Sequence, residues 1–239
     1  MTARLEHPER PIDLSVREAR MLVDRILLTC GVSAGYLHGV RECILTSQSL
    51  RLGGFARLID ISDELRMDGL AALRVVEDRD GGLDVDGGGI HAWMLVPALV
   101  DLAVEGARLA GASRITVANV TAIDELQTIA ALAHRHGART QVTLQAAQSA
   151  AIATHNVPRP MSHERWDPLL HAAIVNGYPI EPQLWRAMHA MSNRALAPDS
   201  VVSRRHAGPV ILQDDGTIFG RPPSDDDFDI NMLKKVVSP

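Results

Sequence analysis

The chain has 239 residues, 46% apolar and 22% charged, the balance of a globular protein with one sizeable core or two small ones. Its formal charge of −5, its 3% aromatic content and the lack of a Lys/Arg stripe exclude the usual basic, aromatic-lined nucleic-acid surface. No apolar run matches a bilayer span, the polar opening MTARLEHPERPID lacks secretory-signal character, and two cysteines are too few for a disulfide framework, so a cytoplasmic protein is expected.

Residues 1–12 read as a flexible arm. Ser15-Val16-Arg17-Glu18 is a capping box, in which the Ser hydroxyl accepts an amide and the Glu reaches back. Apolar residues follow at helical spacing (Ala19, Leu22, Val23, Ile26, Cys30), and Gly31 stops the run. A second helix is predicted from near Ser33 through Leu37, Val40 and Ile44, and a third from about Phe55 to Leu65. Cys30 and Cys43 sit at apolar helix positions and read as buried structural thiols. Leu73-Arg74-Val75-Val76 and Leu83-Asp84-Val85 flank Asp80-Gly81-Gly82, a hairpin signal. Gly87-Gly88-Gly89 follows, and bare glycyl amides can approach an anion. Neither GxGxxG spacing nor a following Lys-Ser/Thr accompanies it, so a strand-to-helix turn is the preferred reading.

The segment from about Trp93 to Leu109 is an amphipathic helix, with Pro97 marking a start. Residues 114–118 form a predicted strand. Thr121 with Asp124 suits the cap of a helix reaching Gly137, and residues 140–144 form another strand. This order predicts a parallel βαβ unit. Gln145 to Thr154 is Ala-rich and suits a helix, Pro158 and Pro160 mark a loop, and helices follow near Trp166–Val175 and Pro182–Ala195. A short hairpin is read over 209–219, and the last ~15 residues read as a weakly ordered tail. The predicted division is thus an arm (1–12), an α/β domain (13–144), a reduced C-terminal region packing on it (145–222) and a tail (223–239).

From Leu14 to Leu144 the chain resembles the type 2 malate/L-lactate dehydrogenases. LSVREARMLVDRILLTCGVS resembles their opening helix, and Gly54-Phe55-Ala56-Arg57-Leu58 stands at their HG-x-x-RL segment. Val85-Asp86-Gly87 matches their VDG turn, LVDLAVEGARLAG their AMELAIEKAREHG helix, and Val117-Ala118-Asn119 their V-R-N segment. The departures fall on chemistry. Where the family reads RGHxSHG, this chain has Gln48-Ser49-Leu50-Arg51-Leu52-Gly53-Gly54, so Leu50 and Gly53 replace both histidines. Where it reads NSNHFG, this chain has Asn119-Val120-Thr121-Ala122-Ile123-Asp124, so Ala122 replaces the proton-transferring His. Alkyl and hydrogen side chains supply no proton. The segment around Leu196-Ala197-Pro198 to Arg204 resembles VPASEASR near the end of an uncharacterised bacterial family of unknown function. Together these likenesses imply a shortened dehydrogenase-like fold: a helical N-terminal region and a small mixed sheet with a βαβ unit. They also imply a homodimer.

No HExxH, CxxC or spaced His–carboxylate set appears, so no metal is expected. His134 and His136 near a helix end read as favourable cations there. Arg57 is a candidate for holding a ligand carboxylate, with a surface ion pair as the plain alternative. Asn119, Thr121 and Asp124 lie beyond a parallel strand end, where ligands of open α/β sheets bind, with helix capping as the alternative. Ser200, Ser203, Arg204, Arg205 and His206 form either a carboxylate patch or an exposed basic turn. The leading expectation is a degenerate dehydrogenase-like protein, a pseudoenzyme without a resident cofactor that binds a small carboxylated metabolite or serves as an accessory subunit. The alternative is an NAD(P)H oxidoreductase for a 2-oxo acid or cyclic imino acid, recruiting His91 or Asp124 as its acid.

Overall fold

The structure is a computed structural model. It describes residues 10–65, 72–79, 82–158, 162–196, 210–212, 215 and 218–220. The chain divides into two units, Met1–Ala195 and Leu196–Pro239.

In the first unit, helix α1 (Val16–Thr29) begins at the predicted box, with Glu18 N donating to Ser15 Oγ at 3.2 Å. The Glu18 side chain accepts instead from Trp185 Nε1 at 3.3 Å, tying down α8 (Pro182–Ser192). Helix α2 (Ala34–Leu50) follows Ser33 as predicted, whereas α3 (Gly54–Asp60) stops before Leu65. Helix α4 (Ala92–Ala110) starts ahead of Pro97, contrary to the expected start at the proline. His91 explains this: its side chain caps the helix, and the first turn (Trp93, Met94, Leu95, Val96) is buried.

The sheet has five strands in the order β2-β3-β4-β6-β5, comprising β2 (Arg74–Arg79), β3 (Gly82–Asp86), β4 (Ala112–Ala118), β5 (Ala138–Ala146) and β6 (Ser149–Asn156). Strands β3 and β4 are parallel with α4 as the crossover, and the β2–β3 hairpin is antiparallel. The predicted βαβ unit between β4 and β5 is split. Strand β6 lies between them, antiparallel to both. The segment Gln145–Thr154, expected as a helix, is instead the end of β5, a two-residue turn and most of β6. Ala150, Ile152 and Thr154 are buried while Ala153 and His155 are exposed, a period of two that overrides the helix propensity of alanine. The boundary expected after Leu144 falls inside this β5–β6 hairpin.

Helices α4 and α5 (Thr128–His134) pack on one face of the sheet. The core between them and α1–α2 includes Leu22, Ile26, Ile44, Phe55, Trp93, Leu99, Val117 and Ile152. Each such side chain contributes roughly 1.5–3 kcal/mol by leaving water. Strand β1 (Ile12–Leu14), which starts inside the predicted arm, pairs antiparallel with β7 (Tyr178–Ile180). Helices α6 (His163–Trp166) and α7 (Pro168–Asn176) precede β7. Cys30 and Cys43 are both free thiols, and only Cys43 is fully buried. No helix among the described residues is long and apolar enough to cross a membrane.

In the second unit, β8 (Val210–Leu212) and β9 (Ile218–Gly220) form the predicted antiparallel hairpin.

Candidate functional site

The ends of β3 and β4 are joined beyond the strands themselves. Gly87 N donates to Ala118 O at 2.8 Å and Gly89 N to Asn119 O at 2.7 Å. Thr121 N donates to Ile90 O, and Ala92 N returns a bond to Thr121 O, both at 3.0 Å. The glycines serve this close approach. A Cβ on Gly87 would stand 2.5 Å from Val120, and one on Gly88, whose φ is +64°, 2.4 Å from Ala72. Gly88 N donates to Asp86 Oδ1 at 2.9 Å, and Asn119 Nδ2 to the same oxygen at 3.0 Å. These two donors hold the Asp86 carboxyl below the usual range.

Over these loops lies a chain of charged and polar groups. Helix α3 is pinned at its start, where Gly54 N donates to Ser47 Oγ and Phe55 N to Gln48 Oε1, each at 3.0 Å. It thereby aims Arg57 at the 3-10 helix Ile123–Gln127. Arg57 donates through one terminal nitrogen to Glu125 Oε1 at 2.5 Å and through the other to Asp124 Oδ2 at 2.9 Å. Glu125 is fully buried, and its second oxygen accepts from Trp93 Nε1 at 2.9 Å. Burial pushes its carboxyl above the usual range despite the donors Ser47, Trp93 and Arg57.

His91 completes the group. Its Nδ1 accepts from Trp93 N at 3.2 Å, which assigns the ring proton to Nε2. That Nε2 is buried without a hydrogen-bond partner. Burial first, and the Arg57 charge second, lower the imidazole pKa to about 4, so the ring is neutral at pH 7.

Arg57, His91 and Asp124 lie near one another, Arg57 and Asp124 as an ion pair whose charges act on the His91 ring. Asn119 and Thr121 lie in the same loops, but the Asn119 side chain is spent on Asp86 and Thr121 serves through its backbone. Capping by Thr121 and Asp124 does not occur. Ala122, at φ 50°, precedes the 3-10 helix in the left-handed region, and Asp124 turns to Arg57. Arg204 and His206 lie outside the described residues. Trp93 and Glu125 were not singled out from sequence. Their signal is a carboxylate and an indole within apolar runs, which only a mutual partner makes tolerable.

The positions where the resemblance would place histidines carry no donor. At Gly53 even a Cβ would come within 3.0 Å of Arg57 Nε, so a side chain there conflicts with this arginine's direction. The loops also do not fit a dinucleotide diphosphate, which binds to free amides at a helix start. The amides of Gly87, Gly88, Gly89, Ala92, Trp93 and Met94 all have acceptors within the chain.

No family model matches the chain, and no curated protein matches it. Among solved structures it is similar to a sulfolactate dehydrogenase from Methanocaldococcus jannaschii (14% identity, TM-score 0.39, covering 46% of this chain and 33% of that one). It is also similar to a malate dehydrogenase from Pyrococcus horikoshii (16% identity, TM-score 0.47, covering 67% and 51%). A third is a malate dehydrogenase from Entamoeba histolytica (12% identity, TM-score 0.41, covering 76% and 62%). The matched part spans less than two thirds of each of these chains.

Proposed function

We propose that this chain is a dehydrogenase-like protein that binds a small carboxylate without carrying out redox chemistry, with Arg57 as the anchor. The observation that carries this is the Asp124–Arg57–Glu125 arrangement, whose charges reach the buried His91 ring, together with the lack of a partner for His91 Nε2. Glu125 is buried and holds one arm of the guanidinium. Asp124 is 37% exposed at its side chain and occupies the other arm, where it acts as an internal stand-in for a ligand carboxylate. A ligand that displaces Asp124 gains the guanidinium and the His91 N–H together. Neutral His91 keeps an N–H free to donate to a ligand but offers almost no imidazolium for proton transfer at pH 7.

The test is calorimetric titration with pyruvate as the probe carboxylate. Half-exposed ion pairs are worth up to about 1 kcal/mol, so Asp124→Asn is expected to tighten binding by up to roughly fivefold. Arg57→Gln is expected to abolish it. Unchanged affinity in both variants would remove Arg57 as the anchor.

A further inference from the structure

A cavity of about 380 Å³ lies between α2, α4 and the end of α5, and shares no lining residue with the Arg57 group. Its apolar wall is Pro97, Val100 and Leu132, and an aromatic wall is supplied by Tyr36. The Tyr36 hydroxyl donates to Met94 O at 2.5 Å, which fixes the ring.

Two of the charged groups at this cavity are already neutralised. Glu42, 6% exposed, accepts from Arg41 at 3.2 Å on one oxygen, which also pairs with Arg20 at 3.3 Å, and from Arg135 at 2.8 Å on the other. Arg41 also meets Asp24 at 2.8 Å, and Arg135 meets Asp167 at 2.7 Å. Three guanidiniums therefore face three carboxylates. Asp101, exposed on the α4 wall, stands outside this cluster and makes no hydrogen bond or ion pair among the described residues. The cavity thus presents, beside the imidazoles of His38 and His136, one solvent-exposed carboxylate without an ion-pair partner among the described residues, a fixed aromatic ring and an apolar surface. An anion would be repelled by that carboxylate, and a neutral body would gain nothing from it. A cation attached to an apolar group satisfies all three features, the ring face included.

We propose that this cavity is a binding site for a small organic ammonium, with the cation at Asp101 and Tyr36 and the apolar body against Pro97, Val100 and Leu132. This inference is independent of the carboxylate site. The test is a thermal-shift and calorimetric series with phenethylammonium, its neutral analogue 2-phenylethanol and its anionic analogue 3-phenylpropanoate. Phenethylammonium alone is expected to bind. Asp101→Asn is expected to weaken it at least tenfold, while Glu105→Gln, the same charge change one turn along α4 at another exposed position, leaves it unchanged. Arg57→Gln also leaves it unchanged, which separates this site from the carboxylate anchor. Absence of phenethylammonium binding, equal binding of 2-phenylethanol, or full affinity in Asp101→Asn overturns the proposal.

Discussion

Glu42 and Glu125 are both buried carboxylates, and their surroundings drive them in opposite directions. For Glu42, burial pushes the carboxyl up, but Arg135, Arg20 and Arg41 outweigh it and hold the group below its ordinary range. Its contribution is therefore present above the unfolded pKa and lost as pH falls. Glu125 has one guanidinium, burial wins, and stability falls as pH rises through its raised pKa. His91 has the clearest consequence. Its folded pKa of about 4 lies below the ordinary 6.5, so the unfolded chain binds the extra proton between those values. The stability from neutral His91 is fully present above pH 6.5 and is lost as pH falls toward 4. His91→Asn keeps a capping acceptor for Trp93 N but removes the titration. At about 1.4 kcal/mol per pKa unit, the variant is expected to lose at most about 3 kcal/mol less than the parent across that window. Urea unfolding at stepped pH measures this, and parallel pH profiles would show that His91 is not held neutral.

Gly39 and Pro97 each break a helix rule, and they are explained by one another. A Cβ on Gly39 would stand 2.9 Å from the Pro97 ring, so the two irregular residues mark the place where α2 and α4 touch. Alanine favours a helix over glycine by about 1 kcal/mol, but overpacking costs roughly 1–3 kcal/mol. Gly39→Ala is therefore expected to lower the midpoint of thermal unfolding, whereas a raised midpoint would show that the helices part freely. Elements with a strong local period (α1, α2, β4, β5 and the β2–β3 hairpin) were legible in the sequence. Strand β6 was not, because an Ala-rich run reads equally well with a period of two or 3.6. The β1–β7 pairing was hidden because it joins segments more than 160 positions apart. At the candidate site, Asp124 was legible as a polar residue beyond a strand end, Arg57 as a cation on the third helix, and His91 as an available acid. The Arg57–Glu125 pair, 68 positions apart, and the Trp93 bond that completes it have no local signature.

Taken as one molecule, the first unit places its parallel strand ends, the start of α4 and the 3-10 helix around a single buried ion-pair network. Its donors and acceptors are nearly all spent within the chain, His91 Nε2 being the exception, buried without a partner. The amides of the glycine turn and of the start of α4 beside it are spent on bonds within the loops rather than left free for an anion. The most direct measurement is the oxidation of NADH and NADPH by the purified protein at pH 7 with pyruvate and with a cyclic imino acid. No rate above the buffer blank is expected with either cofactor. Steady turnover that disappears in Arg57→Gln would contradict a binding protein without redox chemistry.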